Sequence, residues 1–229
     1  MRRGPAPAAL VKVLSFDVYG TLVDVRAGSH AAFADILSSG GASHLDPLEF
    51  WERWEAANIR RYWQPYRAYR EICRDSLAET FTHFGIRGDA GLIQHYFDAF
   101  PRFQRFPDVD DVLDRLGRRF KLALVSNIDD DLLAITPLGR TFDLVCTAEH
   151  ARGYKPDGTL FRHLLTKGTL GVSDLLHSGQ SQRTDMVGAK PLGITVAWIN
   201  RRAVPLAADV PKPDYEFRDL GPLLELLGS

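Results

Sequence analysis

The chain has 229 residues and a formal net charge of −1, a length that suits a main domain of ~150 residues carrying a sizeable insertion. Acids and bases are mixed along it and leave no electrostatic footprint for nucleic acid. Hydrophobic residues make up 45% of the chain, enough for a real core, yet no run approaches the ~20 apolar residues that span a bilayer.

The opening MRRGPAPAALVKVL lacks the apolar stretch of a signal peptide and reads as a frayed leader before the first strand. Cys73 and Cys146 fit neither a disulfide framework nor a metal spacing, so the chain is expected in a reducing cytoplasm, away from membranes. Each cysteine reads as a small buried apolar residue.

Leu10 to Phe16 is an apolar run with β-branched members that stops at Asp17, before Gly20, and predicts a buried strand ending in a loop. Residues 26–105 change character: FWERWEAANIRRYW and YREICRDSLAETFTHFGI carry aromatics, arginines and glutamates at helical spacing, which predicts a helical insertion. Within it Arg60, Arg61, Arg67 and Arg70 read as a solvated helix face. Val109, Val112, Leu113, Leu116 and Phe120 mark one helix face before a strand over Lys121 to Val125, ending at Ser126-Asn127. The unit then recurs: a strand from Phe142 to Thr147, Lys155-Pro156, and a helix through Leu160, Phe161, Leu164 and Leu165. A strand from Leu175 to Ser178, a helix from about Thr184 to Leu192 and a strand from Ile194 to Ile199 close the series. Pro205 to Pro213 reads as a connector.

Strands alternating with helices predict an α/β fold, a Rossmann-like parallel sheet with helices on both faces. The core comprises residues 1–25 and 106–229, and 26–105 is inserted after the first strand. Ligands of such sheets bind beyond the carboxyl ends of the strands, and Asp17, Ser126, Asn127, Lys155, Gln180 and Ser181 all follow strand-like runs.

In FDVYGTL the carboxylate of Asp17 stands at a strand end, with Gly20 permitting a tight turn and Thr21 offering a hydroxyl. Such a carboxylate attacks an electrophile to form an ester or acyl phosphate; an Asp that merely builds the turn is the plainer reading. Ser126-Asn127 is either a hydrogen-bond donor pair for a substrate or leaving group, or ordinary turn chemistry. Lys155 reaches back toward an aspartate or lies on the surface. Asp185 is an acid of the site or a helix cap. The order in which these four signals occur is what gives them weight.

FDVYGTLVDV, LVSN, YKPDGTLF and HSGQSQRTDMVGAKPLGITVAWINR, in that order, resemble the four motifs of the haloacid dehalogenase superfamily across the whole core. The resemblance implies a small α-helical cap domain over 26–105. It also implies Asp17 as nucleophile, Thr21, Ser126 and Asn127 as substrate-contacting groups, Lys155 as charge partner of the aspartates, and Asp185 as the remaining acid.

Phosphatases of the superfamily resemble one another in a second Asp two residues after the nucleophile, where this chain has Tyr19, and in a Gly-Asp pair that supplies a Mg²⁺ ligand, where Gly179 precedes Gln180. A tyrosine with a pKa near ~10 is a poor proton donor to a leaving oxygen, and losing an anionic ligand weakens a Mg²⁺ site. DVYGTLVDV is similar to the first motif of the 2-haloacid dehalogenases, which carry Tyr here and work without a metal. That resemblance implies no cofactor, a short-chain 2-haloacid such as a haloacetate as the small organic acid bound, and a homodimer. Asp17 would displace halide with inversion, and water would hydrolyse the ester, with Asp185 as acid–base and Lys155 stabilising charge. Tyr19 and Gln180 would wall the substrate site, and Ser181 and Asn127 would hold the substrate carboxylate or the water.

Two positions depart from that branch: Glu55 follows Trp54 where an arginine often contacts halide, and Phe161 stands where a tyrosine is common. Arg53, Arg60 and Arg61 lie on other helix faces and are weak substitutes. Of Trp51, Trp54, Tyr62, Trp63, Tyr66 and Tyr69, most are expected to pack and some to roof the site. A Mg²⁺-dependent phosphatase acting on a small phosphate ester is the nearest alternative. A phospho-acceptor switch is disfavoured by the large insertion after the first strand.

Overall fold

The computed structural model describes residues 11–228; the leader expected before the first strand, and Leu10 at its start, lie outside the described residues. Strands β1 (Val13–Phe16), β2 (Lys121–Ser126), β3 (Leu144–Thr147), β4 (Leu175–Gly179), β5 (Thr195–Ile199) and β6 (Tyr215–Phe217) form one sheet, all pairs parallel, in the order β3-β2-β1-β4-β5-β6. The chain builds outward from β1 on one side and then crosses to β4, so the switch point lies between β1 and β4, where open α/β sheets take their ligands.

Alternation along the strands divides the core into two layers. Leu14 and Phe16 of β1 with Leu122 and Leu124 of β2 face one layer, which continues into Phe33, Phe50, Trp54 and Tyr96 of the insertion. Val13, Ala123, Val125, Leu175 and Val196 face the other, against Leu160, Phe161, Leu164 and Met186. Both cysteines are buried and free, as expected.

The insertion is built on α1 (Val25–Ser39), α2 (Pro47–Arg61) and α3 (Tyr69–His83), followed by the short α4 (Gln94–Phe97). Local chemistry sets α1 and α2: Asp24 accepts from Ala27 N at 3.0 Å, and Asp46 accepts from Leu48 N at 2.7 Å with Pro47 opening the helix. For α3 the cap comes from the core instead. Ala68 offers no side-chain cap, and the buried carboxylate of Asp129, beyond β2, accepts from Tyr69 N at 2.8 Å and Arg70 N at 3.0 Å, satisfying donors that α3 cannot satisfy itself. The chain enters and leaves the insertion side by side, with Asp24 N bonded to Gln104 O and Phe106 N to Leu22 O. The four arginines are ion-paired rather than simply solvated: Arg60 and Arg61 with Glu79, Arg67 with Glu71 and Asp75, and Arg70 with Asp131.

In the core, α5 (Val109–Leu116), α6 (Asp130–Ile135), α7 (Ala148–Ala151) and α8 (Thr159–Gly168) connect the strands. The helix expected from Thr184 to Leu192 is a change of pitch instead: a π turn over Gln182–Met186, α9 (Val187–Ala189), and a 3₁₀ turn over Lys190–Leu192. Beyond the connector, β6 was not legible in the sequence, because it is a three-residue, half-exposed edge strand with no apolar run; α10 (Pro222–Leu227), whose Leu223, Leu224 and Leu227 are buried, carried a signal that went unread. No helix among the described residues is long and apolar enough to cross a membrane.

Gly188 of α9 lies directly against the backbone carbonyl of Lys155, and a β-carbon there would collide with it. Gly188→Ala is therefore expected to cost about 1–3 kcal/mol by overpacking and to lower Tm by roughly 2–10 °C, with a matching loss of activity as Lys155 is displaced. Thermal unfolding together with a rate measurement checks it.

Candidate active site

Parallel pairing places Ser15 beside His177 and Phe16 beside Ser178, so the ends of β1 and β4 present Asp17 and Gly179-Gln180-Ser181 together. Asp17 N donates to Ser178 O at 3.0 Å. Gly20 has φ +93°, a left-handed conformation, and a β-carbon on it would meet the Gln180 side chain at 2.8 Å; only glycine suits that turn. The turn brings Thr21 back to donate to Asp17 Oδ2 at 2.8 Å while accepting from Gln180 N at 2.9 Å.

Lys155 completes the centre. Its ammonium donates to Asp17 Oδ1 and meets Asp185 Oδ1 at 2.7 Å, and its backbone N–H is held by Asn127 Oδ1 at 2.9 Å. Burial works against its charge, but Asp17 and Asp185 outweigh that and raise its pKa. Burial pushes Asp17 upward and Asp185 adds repulsion, while Lys155 draws it back; the net direction is up, which makes the ionised carboxylate more basic and a better nucleophile.

Asp185 stands behind Lys155. Burial alone would raise its pKa, but Lys155 and His177 hold it far below the usual carboxylate range. His177 Nε2 donates to its Oδ1 at 3.2 Å, Ser181 N donates to its Oδ2 at 2.9 Å, and Ser15 Oγ lies 2.9 Å from the other ring nitrogen of His177. An acid–base role for Asp185 thus meets a carboxylate that is fully buried, engaged at both oxygens and weakly basic.

A cavity of about 80 Å³ opens over this centre, lined by Asp17, Tyr19, Ser126, Asn127, Lys155, Gln180 and Ser181 from the core. Thr21 and Asp185 touch the centre from behind without lining the cavity. Ser126 Oγ and Asn127 Nδ2 are buried without a partner among the described residues, two groups able to donate into the cavity they line. Tyr19 is differently engaged: its hydroxyl lies 2.8 Å from Thr136 Oγ1, which itself donates to Leu132 O, so Tyr19 is the donor and its proton is committed to Thr136. Burial pushes its pKa far up. Its ring packs edge-on against Phe100 at 5.4 Å.

The insertion supplies the roof, Trp51, Trp54, Glu55, Asn58, Ile59, Tyr62, Tyr69 and Tyr96. Trp63 is 53% exposed, and Tyr66 stacks on Tyr154. Arg53, Arg60 and Arg61 line neither this cavity nor the groove outside it. Sequence reasoning missed Asn58, Tyr96 and His177 and treated Glu55 only as a departure. The helical phase of Trp51, Glu55, Asn58 and Tyr62 was the signal available, since it puts them on one face of α2.

A magnesium ion at this centre would need oxygen ligands near Asp17. Gln180 stands where an acid would supply one of them, the Lys155 ammonium occupies the space between Asp17 and Asp185, and the described residues contain no group of three or more His, Cys, Asp or Glu able to hold a metal. The donor set does not fit.

The profile of a hydrolase family, haloacid dehalogenase-like hydrolase, matches residues 11–193. A (S)-2-haloacid dehalogenase of Pseudomonas sp. (strain YL) is 29% identical over 222 residues, 94% of either chain. Haloacetate dehalogenase H-2 of Moraxella sp. (strain B) is 26% identical over 197 residues, 83% of this chain and 86% of the other. The L-2-haloacid dehalogenase of Xanthobacter autotrophicus superposes with a TM-score of 0.80 at 23% identity, covering 96% of this chain and 99% of that one, a likeness of fold.

Lys155→Met is expected to destabilise the protein by about 3–5 kcal/mol, the cost of leaving buried charge unpaired. Without the lysine, burial and mutual repulsion raise the pKa of Asp17 and Asp185 above their unfolded values. The variant is then least impaired below the ordinary carboxylate range and loses stability as pH rises through the raised values. Urea unfolding at about pH 5 and about pH 8 checks the sign, since the deficit against wild type must widen at the higher pH.

Proposed function

The chain belongs to the haloacid dehalogenase-like hydrolase family, and from that premise we propose that it hydrolyses the carbon–halogen bond of a short 2-haloacid, haloacetate-like in size, through an ester on Asp17 and without a metal. The reading rests on Tyr19: its hydroxyl is committed to Thr136, so the position two residues after the nucleophile offers no proton to a leaving oxygen. A halide leaves without one.

In this reading the core is 1–25 with 106–229, and the cap is 26–105. The substrate is a small organic acid enclosed by Tyr19, Trp51, Trp54 and Tyr96. The unpartnered donors Ser126 Oγ and Asn127 Nδ2 take its carboxylate, with Gln180 and Ser181 at the rim. Asp17, ionised by Lys155 and oriented by Thr21, attacks the halogen-bearing carbon; a new oxygen–carbon bond forms as the carbon–halogen bond breaks. Lys155 then steadies the oxyanion that develops when the ester is hydrolysed. Asp185 holds Lys155 in position. Names of relatives support the substrate class, and the cavity size supports a small acid.

Chloroacetate and 2-chloropropionate, incubated with the protein and EDTA, are expected to release halide, and Asp17→Asn is expected to lower that rate by more than about 10³-fold. Turnover of p-nitrophenyl phosphate dependent on Mg²⁺, with no halide released, would overturn the reading in favour of a phosphatase.

A further inference from the structure

The second half of the proposed reaction requires water to attack an ester, and at neutral pH that water needs a base. Asp185 is buried behind Lys155 with both oxygens engaged. Lys155 is held in its charged form. Among the titratable residues that line the cavity, burial pushes the hydroxyls of Tyr19, Tyr62, Tyr69 and Tyr96 upward. One carboxyl remains besides the nucleophile.

That carboxyl is Glu55, on the face of α2 that carries Trp51, Asn58 and Ile59. It lines both the inner cavity and the larger groove of about 850 Å³ outside, which is the path open to water. Among the described residues no hydrogen bond or ion pair engages it. Resting on the dehalogenase reading, we propose that Glu55 is the base of ester hydrolysis, taking a proton from the water that attacks the Asp17 carboxyl carbon.

The step balances. As the water oxygen bonds to Cγ of Asp17, one water proton passes to Glu55. The adduct collapses by breaking the bond between Cγ and the substrate oxygen, and Glu55 returns its proton to that oxygen to give the hydroxy acid. The second water proton leaves the regenerated Asp17 carboxyl for solvent and accompanies the halide released earlier.

The electrostatics suit the task. Burial pushes the Glu55 carboxyl up to about 7, with Arg202 drawing it back, Glu52 and Asp17 adding repulsion and Arg26 opposing them. The charged groups that share its two cavities are Asp17 and Lys155 on the inner side and Asp24, Arg26, His30, Arg183, Arg201 and Arg202 along the groove, with Glu52 on its own helix; of these Arg202, Glu52, Asp17 and Arg26 act on it most. Esterification removes the charge of Asp17, but the substrate carboxylate brings another, so a similar field persists. A base with a pKa near the working pH combines a useful ionised fraction with useful basicity.

Glu55→Gln, mixed rapidly with bromoacetate in EDTA, is expected to release a burst of about one halide per enzyme and then to turn over at least about 10²-fold more slowly than wild type. Intact mass spectrometry should find the variant carrying a carboxymethyl group, and the rise of kcat through about pH 7 in wild type should disappear. The burst itself certifies a folded, alkylation-competent variant. Wild-type-like turnover, or slow turnover with no retained adduct, overturns the role of Glu55 and leaves the dehalogenase reading standing. No halide from wild type overturns both.

Discussion

A lysine ammonium buried between two carboxylates is a demanding arrangement, because each partner is costly to desolvate and only their mutual contact offsets it. Lys155 joins Asp17 and Asp185 in this way, and much of the surrounding structure exists to make that contact possible. Adjacent parallel strands bring the ends of β1 and β4 together. The π turn swings Asp185 inward, where Ser181 N and His177 hold it. Asn127 grips the Lys155 backbone, and Gly188 leaves room for that backbone to approach. Asp17 is thereby held in one orientation between Lys155 and Thr21 beneath an apolar enclosure.

The cap makes the enclosure. Its aromatic residues pack on one another and on the core, with Trp54 and Tyr96 at 4.9 Å and Phe33 and Trp54 at 5.0 Å, and they continue the same apolar layer as Phe16 and Leu124. Asp129 ties α3 to the core by capping it from outside. Charges under this roof are partly desolvated, and that burial is what raises Glu55 on the roof and Asp17 on the floor.

Tyr19 and Gln180 stand where the superfamily's phosphatases carry acids, and Glu55 where its dehalogenases often carry an arginine, and the three fit together. Tyr19 turns its hydroxyl to Thr136 and gives its ring to the wall. Gln180 packs over Gly20 where a ligand for a cation would otherwise stand. Glu55 shares the cavity with Asp17 from α2, and among the described residues no ion pair engages it.

The strands from β1 to β5, the helical insertion, and the grouping of Asp17, Ser126, Asn127, Lys155 and Gln180 at one edge of the sheet were legible in the sequence. Apolar runs and helical periodicity are local, and the ends of parallel strands share one edge by construction. Asp185 was legible as a residue of the site but not as the support of Lys155, because that depends on a π turn that periodicity does not encode. The edge strand β6 escaped notice because it owes its existence to pairing with β5 rather than to its own residues. Only the tertiary structure decided which cap residues face Asp17, since the roof combines one face of α2 with Tyr69 and Tyr96 from elsewhere. It alone shifts Glu55, because burial and the field of distant charges arise when the cap closes on the core.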